Sequence, residues 1–190
     1  MVGNLPNFNR IDVLRCLLSI EKPASRSYLS KELELGEGTI RSILDILKEK
    51  GFLISNKEGH SLSQKGKNAV ENLKKNIILK KIKNTSLFPD KKAAAIQVKN
   101  PKKMEKSVIL RDESVRNGAE GALILKYWDK LEFYDLNHDE DLSEIEKEFE
   151  LKKNDIVIAA YSSSYKLAEH GAIAAAVLIE DNLRNFLNKF

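Results

Sequence analysis

Apolar residues recur at helical spacing three times within the first fifty positions. Ile11, Leu14, Leu17 and Leu18 form one stripe, with Asn9 placed to cap it. Lys22-Pro23-Ala24-Ser25 ends that helix, and Ser25 can cap a second whose inner face holds Tyr28, Leu29 and Leu33. After the tight turn Leu35-Gly36-Glu37-Gly38, a third helix from about Thr39 to Lys50 carries Ile40, Ile43, Leu44 and Leu47 on one side. Gly51 stands at its C′ position. Phe52 to Ser55 and His60 to Ser63 read as short strands joined by the turn Asn56-Lys57-Glu58-Gly59. A fourth helix begins near Gln64 with Val70, Leu73 and Ile77 on its apolar side, and the pattern predicts that it continues as a connector to Lys83.

The alternation then changes. Residues 80–92 mix basic, polar and helix-breaking residues (Lys80-Lys81, Asn84-Thr85-Ser86, Phe88-Pro89-Asp90) and read as a linker. Ala93 to Val98 predicts a strand, and Pro101 suits the first turn of a helix running to Asn117, where Gly118 stops it. Ala122 to Tyr127 and Leu131 to Tyr134 predict a hairpin, followed by a helix around Ser143 to Leu151. Ile156 to Tyr161 has the apolar continuity of a central strand, and a long Ala-rich helix starts near Tyr165. The chain divides at 84/85 into two domains, a helical one with connector helix 64–83 and a small α/β domain with a single sheet, so its class is α+β or α/β.

Composition narrows the classes. A chain of 190 residues accommodates two small cores, and 42% hydrophobic with 32% charged residues is a globular balance. No apolar run approaches the ~18–20 residues of a membrane helix. Met1 to Pro6 lacks the basic and apolar regions of a secretory leader. The single cysteine, Cys16, excludes an intrachain disulfide and a Cys-based zinc site. The expectation is a cytoplasmic protein with no membrane partner and no cofactor. Residues 1–84 hold 16 Lys and Arg against 9 Asp and Glu, a net +7, whereas from Met104 onward 11 stand against 18, a net −7. Such a split suits a first half that meets a polyanion; two differently charged solvated faces would look the same.

Leu33 to Leu44, Lys50-Gly51-Phe52-Leu53-Ile54 and Ser61 to Gly66 together resemble the helix-turn-helix, wing entry and fourth-helix start of winged helix-turn-helix domains. The resemblance covers residues 9 to 76 and implies double-stranded DNA as partner. A third helix inserted into the major groove would present Glu37, Gly38, Thr39, Arg41, Ser42 and Asp45 outward. Arg41 can contact guanine, and Thr39 or Ser42 a base edge or phosphate. Ser25, Arg26 and Ser27 suit phosphate contacts at a helix start, with Lys57 and His60 on the wing. Against this, Arg41 can simply pair with Asp45, Glu37 and Asp45 repel phosphate, and His60 reads as a solvated wing residue before it reads as a specific contact. The apolar seam Val70, Leu73, Ile77 offers a homodimer contact or packs on its own domain.

The whole layout resembles archaeal winged helix-turn-helix transcriptional regulators with a carboxy-terminal α/β domain of unassigned function. Leu110 to Glu113, Asn117 to Ala122 and Ala168 to Ala176 carry that likeness. Within this domain Arg111 and Asp112 suit a polar ligand or a solvated ion-pair face, and Ser162, Ser163 and Ser164 an anion at a strand end or, for Ser164, a plain N-cap. Asp135, Asn137, Asp139, Asp141, Ser143 and Glu146 match ligand positions of an EF-hand loop, but Glu140 replaces its glycine, and a capping box of Asp141 with Glu144 explains the same letters without metal. His60, His138 and His170 lie far apart in sequence, and no nucleophile–base set assembles. The expected function is a dimeric DNA-binding transcriptional regulator, not an enzyme, whose second domain senses a small-molecule effector or oligomerises. A protein-docking scaffold and a small α/β enzyme are the alternatives.

Overall fold

The computed structural model describes residues 8–83, 86–136, 138 and 140–190. Outside them lie Asn84-Thr85 of the linker, Asn137 and Asp139 of the acidic stretch, and the amino-terminal seven residues. The chain forms two compact units, Met1–Asn72 with Lys189–Phe190, and Leu73–Asn188.

In the first unit, α1 (Arg10–Leu18) begins with a capping box. Asn9 Oδ1 accepts from Ile11 N at 2.9 Å, and Asp12 Oδ2 accepts from Asn9 N at 3.2 Å. Ser25 Oγ accepts from Tyr28 N at 3.1 Å to start α2 (Arg26–Leu33). Glu34, in the left-handed region at φ 55°, ends α2 and swings the chain into α3 (Glu37–Glu49). Two strands, β1 (Leu53–Asn56) and β2 (Gly59–Leu62), pair antiparallel as a wing, and α4 (Gln64–Lys74) follows. Ala24 forms a bridge to His60, so the α1–α2 connection makes a third, minimal strand beside the wing. Leu14, Leu17, Leu29, Leu33, Ile40, Ile43, Leu44 and Leu47 fill the core with Cys16 among them. Also buried is an ion pair, Asp12–Arg15 at 3.0 Å, whose guanidinium donates to Leu33 O at 3.1 Å and ties α1 to the end of α2. This is a winged helix-turn-helix topology.

The second unit is a five-stranded sheet ordered β3-β4-β7-β5-β6, antiparallel at every pairing. Its strands are β3 (Ile77–Ile82), β4 (Lys92–Val98), β5 (Gly121–Tyr127), β6 (Leu131–Phe133) and β7 (Ile156–Ser162). One face is covered by α5 (Ser107–Arg116) and α7 (Tyr165–Ile179). Ala93, Ala95, Val157, Ala159 and Leu125 face the other way, under Phe88, Leu142, Ile145 and Phe149 from the connecting segments and the short α6 (Ser143–Glu146). Buried Asp155 accepts from Gln97 Nε2 at 2.6 Å, Lys152 N at 2.9 Å and Asn100 N at 3.0 Å, joining the end of β4 to the start of β7. The single sheet with helices on it was expected; its wholly antiparallel pairing makes the domain α+β.

Five expectations need correction. The connector helix ends at Lys74, and residues 77–82 are the edge strand β3, so the compact-unit boundary falls after Asn72 rather than at 84. Ile77 and Ile82 are buried in that strand and Val70 and Leu73 in α4, so the proposed dimer seam is interior to the chain. The helix predicted from Pro101 starts at Ser107, since Lys102, Lys103 and Lys106 crowd positive charge where a helix amino end disfavours it. Finally, Asp141 caps Ser143 N at 2.9 Å, but Glu144 turns away to accept from Ser86 N at 2.7 Å, so no capping box forms. The long carboxy-terminal helix also breaks at Glu180, where α8 (Asp181–Leu187) begins; Arg184 of α8 donates to Val177 O and Leu178 O at the end of α7.

Candidate nucleic-acid interface

α3 is amphipathic in a way that leaves one face free. Ile40, Ile43, Leu44 and Leu47 are buried, while Glu37, Gly38, Arg41, Ser42 and Asp45 are exposed and Thr39 is half-buried. Beside that face lies a cleft of about 290 Å³ lined by Arg26 from α2, Arg41, Leu44, Asp45 and Lys48 from α3, and His60 from the wing. The bridge between Ala24 and His60 is what draws the wing to the start of α2 and so brings His60 near Arg26.

Asp45 pairs with Lys48 at 2.7 Å rather than with Arg41. The hydrogen bond from Lys48 holds the Asp45 carboxyl below its ordinary value, and the charges of Lys48, Arg41 and Arg26 act in the same direction. The single carboxylate is therefore outnumbered by three cations in its own cleft. His60 is held below its ordinary value, first by burial and then by the charges of Lys48 and Arg26, so it is neutral at pH 7. Its Nδ1 lies 2.8 Å from Ser55 Oγ, which fixes the ring on the wing.

The remaining residues fall around this cluster. Ser25 is committed to capping α2, with Arg26 and Ser27 exposed behind it. The Ser42 hydroxyl donates to Gly38 O at 3.3 Å, within its own helix. Lys57 is exposed at the wing turn, where Asn56 Oδ1 accepts from Glu58 N at 2.9 Å. Lys48 was not among the candidates from sequence, although Arg41, Asp45 and Lys48 stand at i, i+4 and i+7 and share a face.

The second-unit candidates do not converge. Arg111 and Asp112 line an open cleft of about 550 Å³ with Val115, Arg116 and the start of β5. Ser162 is buried and donates to Gly118 O at 3.0 Å, Ser163 is exposed, and Ser164 is the N-cap of α7, accepting from Leu167 N at 3.2 Å. None of the three serines lines the Arg111 cleft. Among the described residues no helix is long and apolar enough to cross a membrane.

Fold and surface together define a two-domain protein, a winged helix-turn-helix followed by an antiparallel α+β domain. Residues 11–68 match the family described as "PH0730-like, N-terminal domain", and residues 89–180 match "Domain of unknown function (DUF4443)". The chain is similar over 94% of its length to the solved "Hypothetical protein PH0730 from Pyrococcus horikoshii OT3", covering 99% of that chain at 26% identity and a TM-score of 0.79. No curated protein matches it.

Proposed function

We propose that the chain is a DNA-binding transcriptional regulator in which α3 enters the major groove and the second unit serves oligomerisation or effector binding. The observation that carries this reading is the convergence of Arg26, Arg41 and Lys48 with His60 at one flank of α3's exposed face. A phosphodiester is the ligand that rewards Arg26 and Lys48 held around one cleft, while Arg41, on the exposed face of α3 beside them, reaches on to a base edge. The net +7 of residues 1–84 supports the same partner.

The test is selection of duplexes from a random pool by the full chain, followed by fluorescence anisotropy across a salt series. One enriched sequence, bound with an affinity that falls linearly in log salt, is the expected result. A pool that returns unenriched, with no retention of DNA even at low salt, overturns the reading in favour of protein docking.

A further inference from the structure

α5 buries Leu110 and Ser114 beneath it and turns a different set outward. Val108, Arg111, Asp112 and Val115 stand at i, i+3, i+4 and i+7, on one exposed stripe. Val108 is 47% exposed, Val115 45%, and neighbouring Ile109 43%. Three of the seven large apolar side chains exposed among the described residues thus lie on this ten-residue helix. Apolar side chains gathered on so short an element mark a contact surface rather than the scattered exposure ordinary for a monomer.

We infer that this stripe of α5 is a two-fold contact with a second copy of the chain. The reason lies in its order. Val–Arg–Asp–Val is symmetric about the midpoint between Arg111 and Asp112. When two such helices cross antiparallel about a two-fold axis at that midpoint, Arg111 of each meets Asp112 of the other, and Val108 of each meets Val115 of the other. Both charges find opposite charges and both apolar ends find apolar ends. A parallel crossing in register sets Arg against Arg and Asp against Asp. Within the described chain Arg111 and Asp112 form no ion pair or side-chain hydrogen bond, although Arg116 on the same helix pairs with Glu113 at 3.5 Å. Adjacent residues on a helix diverge, so Arg111 and Asp112 cannot neutralise each other; a partner supplies both.

The helix is about 15 Å long, too short to bury alone the ~800 Å² per partner of a stable interface. The cleft beside it, between Arg111, Val115 and Arg116 on one wall and Gly121, Ala122 and Leu123 on the other, extends the surface available to the second copy.

Sedimentation velocity on the full chain, from micromolar to submillimolar concentration, tests this independently of any DNA binding. The expected species is a dimer at twice the 21.5 kDa chain mass. Arg111→Asp places like charges across the axis twice and weakens association about tenfold or more. Asp112→Arg does the same, and the combined R111D/D112R restores the pairing and the dimer. Val115→Lys removes it. These positions are exposed, and circular dichroism of each variant verifies the fold. A wild-type chain that stays at 21.5 kDa throughout overturns the inference. So does a dimer indifferent to Arg111→Asp and Val115→Lys, or a combined variant as weak as either single one.

Discussion

Arg41 projects from α3 with no ion pair among the described residues, whereas Lys48 is held by Asp45 at 2.7 Å. The two side chains should therefore fail differently when removed. Arg41→Ala is expected to lower affinity for the selected sequence by about 1–3 kcal/mol while leaving random duplex little changed. Lys48→Ala should weaken both alike and reduce the salt slope by about one. Anisotropy on the two duplexes separates these outcomes, and an Arg41→Ala protein with unchanged preference would remove α3 as the reader. His60 adds a pH term. Its folded value lies below the ordinary 6.5 because of burial, Lys48 and Arg26, so a phosphate entering the cleft raises it and binding takes up a proton. Asp45, held below its ordinary value, stays ionised through this range. DNA affinity should accordingly rise as pH falls from about 7.5 to about 5.5, and His60→Ala should flatten that rise. A slope unchanged by His60→Ala would place the phosphate elsewhere.

Between residues and domains, the wing and α4 meet at Gly66. A side chain there would bring its Cβ to 2.1 Å from Phe52 O, at the entry to β1. Ser63 locks the same corner, donating to Gly51 O at 2.6 Å and accepting from Gly66 N at 3.0 Å. Gly66→Ala should cost about 1–3 kcal/mol in chemical denaturation, since backbone must move to admit a methyl group; a neutral result would mean α4 is free to slide past the wing. How far each element could be read beforehand follows its chemistry. The caps at Asn9 and Ser25, the stripe of α3 and the wing turn were legible because local hydrogen bonding and a single buried face determine them. Residues 77–82 were not. Three isoleucines and a leucine around two lysines satisfy a helical stripe and a sheet edge equally, and only pairing with β4, distant in sequence, decides between them. The cleft was half legible: the i, i+4, i+7 spacing already puts Arg41, Asp45 and Lys48 on one face, but only the Ala24–His60 bridge brings His60 and Arg26 to it.

At the scale of the whole chain, the correction to β3 alters what mutations should do. A charge placed at Ile77 or Ile82, both buried in β3, attacks the core of the second unit rather than a link between domains. The two units also differ in one respect that chemistry can exploit. Cys16, the chain's sole thiol, lies wholly buried among the leucines of the first unit, and burial pushes its pKa up to about 12. At neutral pH it is neither ionised nor reachable, so a thiol-directed dye added to the native protein should remain colourless until α1 detaches. Labelling then times the opening of that unit alone and is blind to the second. Bound duplex should slow the clock in proportion to its occupancy, and immediate labelling of the native chain would show that α1 opens without the rest. A chain with one thiol in one domain carries its own stopwatch, and no fluorophore need be engineered into it.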